Sequence, residues 1–272
     1  MAEPHISDTL IVIRGGGDLA TGVAQKLWHA GFKLIMLETA QPMMIRRPVC
    51  LGSAIADGQI TVEDVTGVKT LAENVQKVWK KSEIPVIVNP SGDIIHMLKP
   101  AVVVDAILAK KNLGTNRQMA PLTIALGPGF SAPEDVDAVI ETMRGHNLGR
   151  IITKGKPLAN TGIPGVIAGK SKERVIYAPA AGLMRHRREI GAQVQQGETL
   201  FYLGDTAVPS PLTGTLRGLI AEGTLVSLGL KIADVDPRPN VPCDQISDKA
   251  RAIGGGVLDA VLMLGHKKGL FV

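Results

Sequence analysis

The feature that most constrains the fold is a run of three glycines, Gly15 to Gly17, between a β-branched segment and a helical pattern. The segment Ile11 to Ile13 predicts a strand, and apolar residues at four-residue spacing after Asp18 predict one face of a helix. A second strand pattern follows and ends on Glu38. Strand, glycine turn, helix, strand and terminal acid are the parts of a dinucleotide-binding βαβ unit, in that order.

The glycine turn predicts a nucleotide site. Gly15 allows a positive φ, and Gly17 lets backbone amides approach a pyrophosphate because it has no Cβ. Gly16 lies between them, and Ala20 is the third small position of a G-x-G-x-x-A motif. The helix that begins near Asp18 directs free N–H groups and the positive end of its dipole toward an anion. The first candidates for cofactor binding are therefore Gly15, Gly16, Gly17, Asp18 and Ala20.

Two acids bear on which nucleotide is bound. Glu38 is placed to accept hydrogen bonds from a ribose diol, and its charge repels a 2′-phosphate, which favours NAD over NADP. Arg46 and Arg47 are near enough in sequence to weaken this preference. Asp18 suits the helix dipole but repels a phosphate. A scaffold with an unused nucleotide site is therefore an alternative interpretation.

Composition excludes several classes of protein. The chain of 272 residues is long enough for one large domain or two smaller ones. Only 3% of its residues are aromatic, which argues against nucleic-acid binding by base stacking. Cys50 and Cys243 form no Cys-x-x-Cys pair, so neither a disulfide framework nor a thiolate zinc site is predicted. With no signal peptide and no apolar run of membrane length, we expect a cytoplasmic protein that binds no membrane.

Short apolar runs alternate with helical patterns in the first half of the chain, which favours a parallel sheet covered on both faces. Strands are predicted at 59–62, 85–88, 101–104 and 122–126, with helical patterns over 68–79 and after Asp105. Ligands bind at the carboxyl ends of such strands. Asp105, Gly127 and Gly129 follow predicted strands and are therefore added to the cofactor-binding candidates.

A further helix is predicted from Ser131 to Met143, followed by a polar loop over 144–150. We interpret this loop as a candidate anion or substrate loop, with the side chains of Arg144, His146, Asn147 and Arg150. The alternative is an ordinary helix C-terminus, where glycine and basic residues are common. Nothing in the sequence identifies a residue that would orient His146 as a general base.

An internal repeat marks the second half. A 32-residue offset aligns Pro179 with Pro211 and several glycines and aliphatic residues, which predicts two similar β-units around one core. The pattern resembles the biotinyl/lipoyl module, a flattened barrel made of two such halves. Carriers of that type present a modified lysine between the halves, and no lysine lies between Glu189 and Leu230. We therefore expect a docking or scaffold element without a swinging arm.

Two charged groups in this half are interpreted as solvated. The cluster Arg185 to Arg188 is typical of an exposed turn rather than an anion site. Asp234 and Asp236 alternate along one strand before a proline, and we expect them on a solvated face rather than at a metal ion.

The predicted organisation is a Rossmann-like α/β domain over 1–165 and a small all-β barrel-sandwich domain over 170–240. A C-terminal helical segment follows over 241–272, and packing on the first domain is one arrangement open to it. The triple glycine Gly254 to Gly256 indicates either a close backbone approach or a break.

Six blocks of the sequence lie along nearly its full length: Arg14 to Gly22, Asp105 to Thr115, Gly127 to Phe130, Glu141 to Arg150, Asn160 to Gly165 and Asp248 to Gly256. Together they resemble one bacterial family, the selenium-dependent molybdenum hydroxylase system proteins. The opening unit is also similar to the Rossmann domain of xanthine dehydrogenase accessory factors. The family resemblance implies a role in maturing a xanthine dehydrogenase-type enzyme or its cofactor, and it brings no catalytic residues.

Three functions are compatible with these observations. The first is an accessory protein that binds NAD(P) or a molybdopterin dinucleotide and has a molybdenum hydroxylase as its client. The second is an NAD-dependent oxidoreductase, for which Lys110, His146 and Asp105 are the available acids or bases. The third is a non-enzymatic assembly scaffold. A homo-oligomer is compatible with each.

Overall fold

The computed structural model describes residues 5–272, which divide into two compact units. Unit 1 comprises residues 5–42, Cys50–Asn160 and Ile246–Val272, and unit 2 comprises Met43–Val49 and Thr161–Gln245. Residues 43–49, placed by the sequence in the first domain, lie in unit 2 because they bond to Leu219. The Leu219 amide donates to the Ile45 carbonyl at 2.8 Å, and Arg47 Nε donates to the Leu219 carbonyl at 2.9 Å.

Unit 1 is built on one sheet of nine strands, ordered β3-β4-β5-β2-β1-β6-β7-β8-β9. The strands from β4 to β8 in this order pair in parallel, and β3 and β9 each add an antiparallel edge. The strands are β1 (Leu10–Arg14), β2 (Lys33–Glu38), β3 (Gln59–Val62), β4 (Val65–Lys69), β5 (Ile84–Val88), β6 (Val102–Asp105), β7 (Leu122–Leu126), β8 (Ala138–Ile140) and β9 (Ile151–Ile152).

The order β5-β2-β1-β6-β7-β8 is the 3-2-1-4-5-6 order of doubly wound nucleotide-binding sheets. The Rossmann-like α/β architecture predicted for this part of the chain is therefore present. The four strands predicted after Glu38 are confirmed to within one residue at each end. The central strands have no exposed surface at Val12, Ile35 or Val103, which explains why they are apolar throughout.

Within residues 5–272 the structure has five α-helices, all of them in unit 1: α1 (Asp18–His29), α2 (Ala54–Asp57), α3 (Val75–Trp79), α4 (Ile95–Leu98) and α5 (Asp248–Lys267). The Ser247 side chain caps α5 by accepting from the Ala250 amide at 3.1 Å. None of the helices within residues 5–272 is long and apolar enough to cross a membrane.

The triple glycine of α5 is a site of close backbone approach, and the helix continues through it without a break. A Cβ added at Gly22 of α1 would lie 2.6 Å from the Ala250 carbonyl oxygen, and one at Gly254 would overlap the Gly22 carbonyl oxygen. A Cβ at Gly256 would overlap the carbonyl oxygen of Gly149. Gly255 faces open space. The C-terminal helix therefore packs on α1 through backbone contacts that only glycine permits.

Three predicted helices are wrong in whole or in part. Residues 131–143 contain β8 instead, because the Asp137 carboxylate accepts the Thr123 amide at 2.8 Å and holds the segment against β7. No helix follows Asp105, since Leu108 and Lys110 have φ near +60°, which no α-helix of L-residues accommodates. Within 68–79 only α3 is helical, and Val68 belongs to β4.

Unit 2 contains two antiparallel sheets of four strands, ordered β10-β17-β15-β12 and β14-β13-β11-β16. They share one core that includes Met184, Phe201, Leu216 and Ile232. The strands are β10 (Val175–Tyr177), β11 (Gly182–His186), β12 (Gln193–Val194), β13 (Thr199–Leu203), β14 (Thr206–Pro209), β15 (Gly214–Leu219), β16 (Leu225–Val226) and β17 (Lys231–Asp236).

The 32-residue repeat explains the pairing of strands in unit 2. The offset relates β11 to β15, β12 to β16 and β13 to β17, since each partner begins 32 residues after the first. Each sheet therefore combines strands from both repeats, and neither repeat can form its sheet alone. The assignment to the biotinyl/lipoyl type stays a prediction.

The glycines of α5 give a paired test of the helix packing. We expect Gly254→Ala to lower the free energy of unfolding by about 1–3 kcal/mol, because the added methyl group overpacks the contact with α1. The methyl group of Gly255→Ala would face open space, so this variant should raise the free energy of unfolding by roughly 0.5–1 kcal/mol through helix propensity. Urea unfolding of the two variants checks both signs, and equal effects would contradict the backbone contact.

Candidate functional site

The three glycines after β1 differ in what surrounds them. Gly15 has φ +96°, and a Cβ added there would lie 2.9 Å from the Ala106 carbonyl oxygen. A Cβ at Gly16 would lie 2.6 Å from the Cα of Gly52. A Cβ at Gly17 meets no atom within 4 Å, and Gly17 is the N-cap residue of α1. The packing therefore leaves no room for a side chain at Gly15 or Gly16, whereas the space beside Gly17 is open.

Glu38 lies beside this turn, where its carboxylate is bound by backbone amides. Its Oε2 accepts the Gly16 amide at 2.7 Å, and its Oε1 accepts the Thr39 amide at 2.7 Å. The Gly16 amide is thus already used within the protein. A ligand phosphate would have to approach the turn at Gly17 and the first turn of α1. Ala20 has no exposed surface and packs in the core.

A lysine that the sequence analysis did not single out lies near the start of α1. Lys249 is half-buried in the first turn of α5, and the charges of Arg144, Asp18 and Glu141 all act on it. Burial, followed by the charge of Arg144, lowers the pKa of Lys249. Lys249 is distant in sequence from the glycine turn, and the close packing of α5 on α1 explains why the charge of Asp18 acts on it. Its only sequence signal is its place in the resemblance block from Asp248 to Gly256.

The loop after β8 is tied to α5 by Arg144, whose guanidinium donates to both carboxylate oxygens of Asp248, at 2.6 and 2.9 Å. These hydrogen bonds raise the pKa of Arg144. His146 is exposed. Arg150 donates to Asn147 at 3.3 Å, and both line a shallow depression of about 420 Å³ with Lys154 and Lys156. Of the four candidates in this loop, Arg144 is the one that shares a neighbour with the glycine turn.

Asp105 belongs to a buried polar cluster at the carboxyl ends of β1 and β6. It is 2% exposed and accepts the Thr115 hydroxyl at 2.5 Å and the Ile107 amide at 3.1 Å. Arg14 lies 3.9 Å from the carboxylate and donates to the same hydroxyl. Burial raises the pKa of Asp105. The cluster holds in place the loop after β6, and Gly15 packs against Ala106 and Ile107 of that loop. Asp105 therefore supports the glycine turn indirectly, through this loop.

Gly127 and Gly129 bring the loops after β6, β7 and β9 together. A Cβ at Gly127 would overlap the ring of Pro157. Gly129 has φ +107°, and a Cβ there would lie 2.8 Å from the Cα of Lys111. Beside them is a cleft of about 340 Å³ whose charged lining residues are Lys110, Asp135 and Lys156. The two glycines shape this cleft by permitting close packing.

The two charged groups of unit 2 that were predicted to be solvated differ in their exposure. Arg185 pairs with Asp205 at 3.5 Å and Arg188 pairs with Glu198, as expected of surface charges. His186 differs from the prediction, because it belongs to β11 and its side chain is 6% exposed. The prediction for Asp234 and Asp236 is wrong, because they are 5% and 0% exposed. Asp236 is held by Arg238 at 2.8 Å and Asp234 by Arg174 at 3.0 Å. Within residues 5–272 no group of three or more His, Cys, Asp or Glu residues could hold a metal ion.

The chain matches part of a longer curated protein. It is 51% identical over 260 residues to the Escherichia coli (strain K12) protein named "Uncharacterized protein YqeB". The match covers 95% of this chain and 48% of that protein, so the chain spans about half the length of its relative. At this identity and coverage, the chain belongs to the YqeB family. No family model matches the chain.

Two solved structures match weakly. Escherichia coli tRNA N6-threonylcarbamoyladenosine dehydratase, TcdA, is 14% identical with a TM-score of 0.28, covering 45% of this chain and 53% of that chain. The ectoine utilization protein EutE (DoeB) from Ruegeria pomeroyi is 13% identical with a TM-score of 0.26, covering 84% of each chain. Scores this low do not establish a shared fold.

The Arg14–Thr115–Asp105 cluster can be tested by removing its bridging hydroxyl. Thr115→Val keeps the shape but leaves a buried carboxylate oxygen and a guanidinium N–H unsatisfied, so we expect a loss of about 2 kcal/mol of unfolding free energy. Thr153 is exposed and serves as the control, because Thr153→Val should change the free energy of unfolding by less than about 0.5 kcal/mol. Urea unfolding of both variants gives the comparison, and a neutral Thr115→Val would contradict the bridging role.

Proposed function

We propose that unit 1 binds the phosphate of a nucleotide at Gly17 and the first turn of α1. The observation that carries this proposal is the open space at Gly17, directly at the N-terminus of a twelve-residue helix. The positive end of the helix dipole favours an anion there. In this structure the Leu19 amide donates to Asp18 Oδ1 at 2.9 Å, so an anion would compete with that carboxylate. Lys249, on which the charge of Asp18 acts, adds positive charge beside this turn. NAD(P) and a molybdopterin dinucleotide are the ligands that this motif would accept.

We further propose that the chain acts as an accessory protein of a molybdenum hydroxylase of the xanthine dehydrogenase type. The support is the family resemblance, in which the blocks include the glycine turn, the loop over 144–150 and the start of α5. The charges of Asp18, from the first block, and Arg144, from the second, act on Lys249 at the start of α5, and Arg144 binds the neighbouring Asp248. Unit 2 would then be the docking element, a barrel-sandwich of the biotinyl/lipoyl type without the carrier lysine.

Binding is favoured over hydride transfer by the state of the candidate acids and bases. Asp105 is buried and occupied by Thr115 and Ile107, and His146 is exposed on the loop after β8. Lys110 lines the cleft beside Gly129. No contact among the described residues brings any of these three side chains to Gly17, so an accessory role fits the geometry better than an oxidoreductase does.

Titration calorimetry with NAD, NADP, ATP and a pterin dinucleotide tests the nucleotide site. We expect a dissociation constant below about 1 mM for at least one of them, and Gly17→Asp should weaken it by at least about tenfold, or 1.4 kcal/mol. Aspartate is a favourable N-cap residue, so this variant should stay folded. As a control, Gly255→Asp places the same charge at another glycine of unit 1 that faces open space, and its dissociation constant should equal that of the unmodified chain. Absence of binding by the unmodified chain would leave the scaffold as the function.

The charge of Glu38 predicts the preference between the two nicotinamide nucleotides. Glu38→Gln keeps an oxygen that can accept the Gly16 amide but removes the negative charge. We expect the ratio of NADP to NAD affinity to rise by roughly fivefold, as about 1 kcal/mol of like-charge repulsion with a 2′-phosphate is lost. Calorimetry with both nucleotides measures the ratio. An unchanged ratio in a variant that still binds would place the ribose away from Glu38.

The accessory role has its own test. A molybdenum hydroxylase of the xanthine dehydrogenase type is co-expressed with the chain, with Gly17→Asp, or alone. We expect full hydroxylase activity only with the unmodified chain. Equal activity with Gly17→Asp would show that nucleotide binding is not needed for maturation.

A further inference from the structure

The cleft beside Gly129 is built by three loops of unit 1, which follow β6, β7 and β9. Close contacts hold these loops together, because Gly127 packs against the ring of Pro157 and Gly129 packs against the main chain of Lys111. They enclose a space of about 340 Å³. A volume of this order is typical of a site for a small molecule.

The loop after β6 has an unusual backbone conformation at this cleft. Leu108 and Lys110 have φ of +59° and +63°, in the left-handed region that a residue as bulky as leucine rarely adopts. Such conformations persist only where the surroundings impose them, and they are concentrated at ligand sites. Here Gly15 and Gly129 pack against the loop on either side of Leu108. The loop is therefore fixed in the conformation in which Lys110 lines the cleft.

The residues that line the cleft carry an excess of positive charge. They include two lysines, Lys110 and Lys156, and one acid, Asp135. Over the described range 5–272 neither lysine forms a salt bridge or a side-chain hydrogen bond, whereas Asp135 accepts the Ser131 amide at 2.8 Å. The charge of Lys156 also acts on Glu134, which does not line the cleft and accepts the Ser131 hydroxyl at 2.6 Å. Two ammonium groups are therefore available to an anion.

The rest of the lining is mostly apolar. Carbon surface comes from Pro128, Phe130, Pro157 and Ala159, and Asn160 adds one amide. Sites with apolar walls and a few charged groups bind organic molecules, which the charged groups orient. The one acid of the lining disfavours a ligand with two negative charges. The cleft therefore suits an organic anion with a single carboxylate.

We propose that this cleft binds a small organic acid in its carboxylate form. The ammonium groups of Lys110 and Lys156 bind the carboxylate. Pro128 and Pro157 pack against the apolar body of the ligand. The proposal does not depend on the phosphate site at Gly17.

Benzoate is the probe, and the measurement is acetylation of lysines by N-hydroxysuccinimidyl acetate, followed by peptide mass spectrometry. Benzoate is titrated against sodium chloride of equal ionic strength. We expect saturable protection of Lys110 and Lys156 with a dissociation constant below about 10 mM, which is an ordinary affinity for a ligand of this size. Lys154 is exposed on the same loop as Lys156 and does not line the cleft, so its acetylation rate should stay unchanged.

Two analogues separate the charge of the probe from its shape. Benzamide has nearly the shape of benzoate without its charge and should give no protection. Phenyl phosphate carries a second negative charge, which Asp135 repels, so it should protect less than benzoate. Protection by benzamide equal to that by benzoate would contradict binding of the carboxylate by the lysines. Stronger protection by phenyl phosphate would contradict the carboxylate class and indicate a phosphate site instead.

Matched variants assign the effect to the two lysines. Lys110→Met should weaken the protection of Lys156 by about fivefold, the upper range for one exposed ion pair, and Lys156→Met should do the same to Lys110. Lys154→Met leaves the lining of the cleft unchanged, so both lysines should be protected as before. Equal protection of Lys154, or full protection of Lys156 in Lys110→Met, would overturn the proposal.

Discussion

The contact between the backbones of α1 and α5 is the constraint on which the rest of unit 1 depends. Gly22 and Gly254 let the two helices approach until carbonyl oxygens and Cα atoms touch. This distance brings Lys249 to the start of α1, and it places Asp248 where Arg144 can bind it. Arg251 of α5 also binds Glu63, in the hairpin between β3 and β4, at 2.6 Å. Helix α5 thus contributes to the surroundings of the glycine turn that begins at residue 15.

The start of α1 balances opposite charges. Two carboxylates, Asp18 and Glu38, lie at the turn, and Glu38 is held there by the amides of Gly16 and Thr39. A phosphate in such a position is attracted by the helix dipole and repelled by the acids. Lys249 of α5 is a cation on which the charge of Asp18 acts, whereas Arg144 of the loop after β8 is paired with Asp248. An estimate of anion affinity from the glycine motif alone would therefore omit the residues that decide it.

How much could be predicted from the sequence depends on whether a pattern is local. The strands of the parallel sheet were predictable, because segments buried on both faces must be apolar throughout. The segment from Ser131 to Met143 was not, since its apolar spacing suits a helix and only the contact of Asp137 with Thr123 selects a strand. Asp234 and Asp236 were misplaced for a similar reason. Their alternation indicates a solvated face, but Arg174, which is sixty residues earlier in the chain, pairs with Asp234 in the interior. Asp236 is buried as well, and it is bonded by Arg238, two residues further along the chain.

The segment over residues 43–49 has a consequence for how this architecture can be dissected. Its main chain bonds to the end of β15, so a fragment restricted to 161–245 would lose those partners of Leu219. Unsatisfied main-chain groups at a sheet margin invite pairing with other molecules. The all-β part is consequently not a transplantable cassette, and any recombination that moved it between proteins would have to carry a short peptide from more than a hundred residues upstream.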